Sequence, residues 1–247
     1  MADLLLIGGA TPQMLERLER AFTIHRLADA ADPAAWLVEH GAKIHYVATN
    51  GHDGVKPDYI KVMPNLKLIS CYGVGYDAID TRLARASGIM VTHTPNVLNA
   101  EVASTALMLM LACYRNLLAD DAHVRSGDWE INGNAPLSRS ADNQVVGIVG
   151  LGRIGQAIAN KLAPFNAKIL YHSRSQKMVP YQYYGSLVDM AQSADVLICI
   201  TPGGEETNKL INLEVINALG PKGTLINVSR GSVVDETALI AVSYTHL

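Results

Sequence analysis

Short apolar runs alternate with stretches of helical periodicity along almost the whole of this chain. Leu4 to Ile7 forms the first run. Thr11-Pro12 then opens a helix over Met14 to Arg20, because Thr suits an N-cap and Pro a first helical turn, and Ile24 to Leu27 follows. Ile44 to Ala48, Leu66 to Ser70 and Ile89 to Thr92 continue the alternation, separated by short helices and polar or Gly/Pro breaks. The pattern restarts with Val145 to Val149, a helix over Arg153 to Leu162, and the apolar segments Lys168 to Tyr171, Leu187 to Ala191, Val196 to Ile200, Leu213 to Leu219 and Leu225 to Val228. Strands alternating with helices predict parallel sheets, and the absence of a sequence repeat between the halves predicts two domains, not an array.

Between the halves, Asn99 to Leu118 is apolar on most sides and predicts a buried helix lying between domains. Its length and its flanking Glu101 and Arg115 argue against a membrane span. Arg125 to Asn143 is polar and rich in Gly, Asn and Ser around Trp129, which predicts an extended arm. An arm that carries a Trp suits docking on a partner subunit, so a homodimer is expected.

Composition narrows the function classes. A formal charge of -3 and a pI near 6.2 provide no basic field for nucleic acid or anionic membranes, leaving a small soluble ligand as the expected partner. Cys71, Cys113 and Cys199 lack metal or redox spacing and do not form a secreted disulfide framework. The N-terminus has no basic segment with a cleavage site, so a cytoplasmic location is expected. His25, His40, His45, His52, His93, His123 and His172 sit singly, so no metal site is expected.

The strongest chemical signal is Gly150-Leu151-Gly152-Arg153-Ile154-Gly155, placed after the apolar run Val145 to Val149 and before a helix of small residues. That strand, turn and helix context is what a dinucleotide fingerprint requires. Gly150 permits a tight turn, Gly152 lets a pyrophosphate approach the backbone, and Gly155 lets the helix pack on the strand. The helix N-terminus, at Arg153 and Ile154, adds N–H groups and a positive dipole. About 20 residues further on, where an acid would accept from a ribose 2′-hydroxyl, the sequence reads His172-Ser173-Arg174-Ser175. Arg174 can pair with a 2′-phosphate bidentately and Ser173 and Ser175 can donate to it, which favours NADP, with NAD also possible.

Four separately spaced motifs agree with one another: Ser70 to Asp77 (SCYGVGYD), Thr94 to Val97 (TPNV), the Gly150 to Gly155 loop with its strand, and Asn227 to Gly231 (NVSRG). Together they closely resemble the D-isomer-specific 2-hydroxyacid dehydrogenases, over the chain from its first strand to about Ala241. The His172 to Ser175 stretch is most similar to NADP-preferring glyoxylate/hydroxypyruvate reductases. The resemblance implies an α/β fold of two Rossmann- or flavodoxin-like parallel-sheet domains with an active-site cleft between them. Residues 1–95 would be the substrate-binding domain without its C-terminal return helix, and residues 96–241 an incomplete dinucleotide-binding domain. It implies that Val74 and Gly75 present N–H groups to the substrate carboxylate, a role that flanking glycines make chemically sensible. Arg230 would hold the carboxylate and polarise the keto oxygen, a task for a permanently charged planar fork. Thr201, Pro202 and Val228 would line the nicotinamide and its ribose.

The implied reaction is hydride transfer between NADPH and a small 2-oxo acid such as glyoxylate or hydroxypyruvate. In the family a His partnered by a Glu moves the proton, and both follow the arginine in sequence. From Val242 the sequence departs from the family pattern, so residues 242–247 are expected to be a non-native tail and the chain an inactive fragment. His246 follows Arg230 too closely to serve as the missing acid. A non-enzymatic dinucleotide-sensing regulator on the same fold is the alternative, since fold does not fix function.

Overall fold

The computed structural model describes the backbone of residues 1–246 and the side chains of residues 1–243. The chain divides into two compact units, Met1–Val97 and Leu98–Leu247.

The first unit runs β1 (Ala2–Leu6), α1 (Pro12–Glu19), β2 (Phe22–Arg26), α2 (Pro33–His40), β3 (Ile44–Asn50), α3 (Pro57–Lys61), β4 (Leu68–Tyr72), α4 (Thr81–Ala86) and β5 (Met90–Thr92). Its five strands are all parallel, in the order β2-β1-β3-β4-β5. The order reverses between β1 and β3, the flavodoxin-like arrangement in which ligands sit beyond the C-terminal strand ends. Thr11 caps α1 by accepting from Met14 N at 3.2 Å, and Pro12 occupies the first turn, as the sequence predicts. One sheet face, through Leu5, Val47, Ile69 and Cys71, packs on Leu37, Ile60 and Ala84 of α2, α3 and α4. On the other face Leu4, Leu6 and Ala48 pack on Leu15 and Leu18 of α1. That second face stays exposed further along, at Ser70, Tyr72, Met90 and Thr92.

The second unit opens with α5 (Asn99–Tyr114), α6 (Leu117–Arg125) and α7 (Asp128–Asn132). It continues β6 (Val145–Val149), α8 (Arg153–Leu162), β7 (Lys168–His172), β8 (Gln182–Tyr183), α9 (Leu187–Gln192), β9 (Val196–Cys199), α10 (Leu213–Leu219), β10 (Thr224–Asn227) and α11 (Glu236–His246). Five parallel strands take the order β10-β9-β6-β7-β8, the Rossmann arrangement with its switch point between β6 and β9. Alternate strand residues feed two cores. Val146, Ile148, Ile169 and Ile198 face Ala103, Ala106, Met110, Ile158 and Leu162 of α5 and α8. Val149, Leu170, Leu197 and Cys199 face Leu187, Met190, Val215 and Ile216 of α9 and α10. Both faces are covered, which is why these strands read as continuous apolar runs. Each fully buried aliphatic chain such as Ile148 contributes about 1.5–3 kcal/mol.

Two elements differ from the sequence expectation. The long apolar helix ends at Tyr114, because Asn116 takes a left-handed φ of 49° and α6 starts anew. It buries Ala103, Ala106, Met110 and Tyr114 while Met108 stays exposed, so it has one core face. The arm around Trp129 is partly helical: Gly127, with φ 83°, turns the chain into α7, whose first turn carries Asp128 and Glu130. Acids there complement the helix N-terminus, so a polar composition hid a short helix. At the C-terminal end α11 runs through Val242 to His246. Leu247 and the side chains of residues 244–247, His246 included, lie outside the described residues.

No single helix among the described residues is long and apolar enough to cross a membrane. The α5 and α6 pair would be long enough together, but is bent by 59°, and α5 spends its apolar face on the core of its own unit.

Candidate active site

In the second unit the glycine loop follows β6, directly at the switch point. Gly150 has φ +100°, and a Cβ there would stand 2.8 Å from Ile200 O, so this turn admits only glycine without strain. A Cβ on Gly155 would stand 2.3 Å from Gly150 O; its absence is what lets α8 approach β6. Gly152 is different, since a Cβ there would meet nothing within 4 Å. It is the N-cap of α8, with no side chain over the first helical N–H groups. Beside the loop, across the switch point, Thr201 Oγ1 is buried and has no hydrogen-bond partner among the described residues. Buried hydroxyls are rarely left so. Open space at a helix N-terminus together with an orphaned hydroxyl fits the pyrophosphate and ribose of a dinucleotide.

The loop after β7 carries Ser173, Arg174 and Ser175. Ser173 Oγ donates to Ser175 O at 2.7 Å, and Tyr183 OH donates to Ser173 O at 3.4 Å. The Tyr171 hydroxyl accepts from Lys177 N at 2.8 Å, closing the loop's far end. The Ser173 hydroxyl is thus engaged within its own loop, whereas Arg174 reaches outward to Glu206, Nη1 to Oε2 3.6 Å.

Arg230 follows β10. Asn227 shapes its loop: Oδ1 accepts from Ser229 N at 3.0 Å and from Ser229 Oγ at 2.7 Å, while Nδ2 donates to Arg230 O at 2.8 Å. Arg230 is half-buried, and its Nη1 donates to Ser229 O at 3.2 Å. Val228 N donates to Cys199 O at 3.1 Å, which holds Val228 beside the end of β9. The Gly150–Gly155 loop, residues 173–175, Thr201, Pro202, Val228 and Arg230 therefore gather at the C-terminal edge of one sheet.

Val74 and Gly75 stand at the corresponding edge of the first unit, after β4. Every carbonyl of this turn is tied back: Thr94 N donates to Gly73 O at 2.9 Å, His93 Nδ1 to Val74 O at 2.9 Å and Cys71 Sγ to Gly75 O at 3.6 Å. No acceptor among the described residues meets the amides of Val74 and Gly75. Because a carbonyl can only accept, His93 Nδ1 carries the proton. Tyr76 packs edge-on against the His93 ring, centroids 4.8 Å apart. A turn with its carbonyls engaged and its N–H groups unopposed has the donors to receive an anion such as a carboxylate.

The family described as D-isomer specific 2-hydroxyacid dehydrogenase, NAD binding domain, matches residues 107–245. The chain belongs to that family. It is 41% identical over 224 residues to a glyoxylate/hydroxypyruvate reductase of Arabidopsis thaliana, covering 90% of this chain and 71% of that protein. It is 38% identical over 242 residues to a 2-ketogluconate reductase of Gluconobacter oxydans, covering 97% and 76%. The NADPH-dependent glyoxylate/hydroxypyruvate reductase of Sinorhizobium meliloti, solved with NADP and malonate, superposes with a TM-score of 0.91 at 41% identity, covering 99% of this chain and 76% of that one.

Seen as a 2-hydroxyacid dehydrogenase, the chain shows three residues that sequence reasoning passed over. His93 braces the Val74 turn, yet as an isolated histidine it gave no spacing signal. Asn227 stands in the sequence only as part of a motif, while its side-chain amide bonds both Ser229 and Arg230. Glu206 faces Arg174 from a loop more than thirty positions away in sequence, and only the fold could pair them. Among the described residues no cluster of three or more His, Cys, Asp or Glu is arranged to hold a metal.

Proposed function

We propose that this dehydrogenase is an NADPH-dependent reductase of small 2-oxo acids of the glyoxylate or hydroxypyruvate type. The observation that carries the reading is the pair of unopposed amides at Val74 and Gly75, a carboxylate receptor on a chain whose other unit is a dinucleotide fold. Gly150, Gly152 and Gly155 with Arg153 and Ile154 hold the pyrophosphate at the N-terminus of α8. Arg174 binds the 2′-phosphate, with Ser175 beside it and Ser173 able to donate only by giving up its bond to Ser175 O; Thr201, Pro202 and Val228 border the nicotinamide and its ribose. The nicotinamide supplies the hydride when bound. Val74 and Gly75 orient the carboxylate, and Arg230 holds it and draws electron density onto the keto oxygen, making C2 electrophilic. A ribose hydroxyl bound here would give the buried Thr201 hydroxyl the partner it lacks.

Proton transfer belongs, in the family pattern, to a Glu and a His after Arg230, and neither is matched among these 247 residues. Loss of such acid-base help costs about 10²- to 10⁴-fold in rate. We therefore propose that these residues alone bind dinucleotide without appreciable turnover. The test is to extend the chain to its relatives' length and follow NADPH absorbance with glyoxylate, hydroxypyruvate and larger 2-oxo acids. Turnover with the small acids is expected; none on any 2-oxo acid would overturn the assignment.

A homodimer is proposed on the apolar residues exposed over α6, α7 and the segment that follows, namely Leu118, Val124, Trp129, Ile131 and Leu137. A surface of this kind marks an interface. Light scattering of the purified chain should give twice the monomer mass. The cytoplasm is the proposed compartment, since it suits a chain that keeps its cysteines as thiols.

A further inference from the structure

Arg174 and Glu206 come from opposite sides of the strand that carries the glycine loop. In the order β10-β9-β6-β7-β8, Arg174 follows β7, Glu206 follows β9, and Gly150 to Gly155 follow β6 between them. The ion pair, Nη1 to Oε2 3.6 Å, therefore links the two loops that flank the cofactor crevice. Both loops are fixed locally. Ser173 and Tyr183 hold the first. In the second, Thr207 Oγ1 donates to Pro202 O at 2.8 Å and Thr207 N to Gly204 O at 3.2 Å. The two backbones bring the side chains within reach of each other, and both side chains stay largely exposed.

We propose that Glu206 is a specificity-determining residue that weakens this enzyme's preference for NADP over NAD. The proposal rests on the reading of Arg174 as the partner of the 2′-phosphate. Before cofactor binds, the Glu206 carboxylate occupies Arg174. A 2′-phosphate, carrying roughly 1.5–2 negative charges at neutral pH, must displace that carboxylate and then sit near it, a like-charge neighbour. An unphosphorylated ribose has no such conflict, and its 2′-hydroxyl can donate to Glu206. The acid normally found at the end of the strand after the glycine loop is missing here at residues 172–177, and a carboxylate from the loop after β9 stands in the same neighbourhood. Since both side chains are largely exposed, the effect is modest and screened by salt.

The experiment measures Kd for NADP⁺ and NAD⁺ by calorimetry on the 247-residue chain, as wild type, Glu206→Gln, Glu206→Lys and Arg174→Ala. Glu206→Gln should tighten NADP⁺ by about two- to fivefold, the range of an exposed pair, with NAD⁺ unchanged or weaker. Glu206→Lys should tighten NADP⁺ further, and both gains should shrink in high salt. If Arg174→Ala abolishes the preference while both Glu206 variants leave the ratio of the two Kd values as in wild type, Glu206 has no such role. If Arg174→Ala itself leaves the ratio unchanged, the 2′-phosphate reading falls, and the role of Glu206 with it.

Discussion

His93 Nδ1 donates to the carbonyl oxygen of Val74 at 2.9 Å. This bond holds the turn whose Val74 and Gly75 amides are left unopposed, and on the proposed function it makes His93 a positioning residue for the substrate carboxylate. In the enzyme extended to its relatives' length, His93→Ala should raise KM for the 2-oxo acid about three- to tenfold, the worth of one hydrogen bond, with KM for NADPH unchanged. His93→Asn, which keeps a donor, should recover part of the loss. Equal changes in both KM values would mean that the substitution disturbs the enzyme generally.

The glycines of the loop should separate by function. Gly155→Ala drives a Cβ to 2.3 Å from Gly150 O, so it should lower stability by about 1–3 kcal/mol, seen as a drop in Tm. Gly152→Thr meets open space and puts a good N-cap on α8. It should preserve Tm while weakening dinucleotide binding by at least about tenfold, because the side chain fills the pyrophosphate's approach. Binding at wild-type strength by Gly152→Thr would remove the pyrophosphate from this loop.

Arg174→Asp should shift selectivity toward NAD by placing a carboxylate where a 2′-phosphate binds. The expected outcome is a loss of NADP⁺ affinity of about tenfold or more, with little change for NAD⁺, read from Kd ratios. An unchanged ratio would count against the assignment of the 2′-phosphate to this loop.

Burial pushes the Cys199 thiol up to about 12. At pH 8 roughly one molecule in ten thousand then carries the thiolate, and Cys71 is also buried, whereas Cys113 is exposed. A thiol reagent at that pH should modify Cys113 quickly and the other two only after denaturant is added. Fast modification of Cys199 in the folded chain would show that its strand opens readily.

Asp235 caps α11 through Ala238 N at 3.3 Å and pairs with Lys209 at 3.3 Å. The backbone N–H of Ala238, and then Lys209, hold its carboxyl below the ordinary 3.8. As pH falls, the unfolded chain takes up this proton before the folded one does. The stabilisation is therefore complete above the ordinary value and disappears as pH drops through the lower folded value. The Tm difference between wild type and Asp235→Asn should shrink as pH is lowered from about 5 to about 3; a constant difference would refute the linkage.

Much of the architecture was legible because strand burial and helix amphipathicity leave local traces. Val145 to Val149 reads as a buried strand, and Thr11-Pro12 as a helix start, because the determining contacts lie within a few residues. The edge strand β8 and helix α7 escaped for the converse reason. Gln182 and Tyr183 pair only with β7, and α7 is polar and brief. The glycine loop was legible residue by residue, since its demands are steric: positive φ at Gly150, close approach at Gly155, open space at Gly152.

By itself, then, the sequence determined the alternation of strands and helices, the glycine loop with its steric demands and the motifs of a 2-hydroxyacid dehydrogenase, all of which are encoded locally. Tertiary structure alone decided the strand orders, which place the switch point beside Thr201, and the pairings His93 with Val74 and Arg174 with Glu206. Those pairings join loops separated in sequence, and a parallel sheet brings such loops to one edge only through its crossovers. The reason is geometric: each crossover returns the chain to the same end of the sheet, so distant residues become neighbours there with no trace in their local sequence.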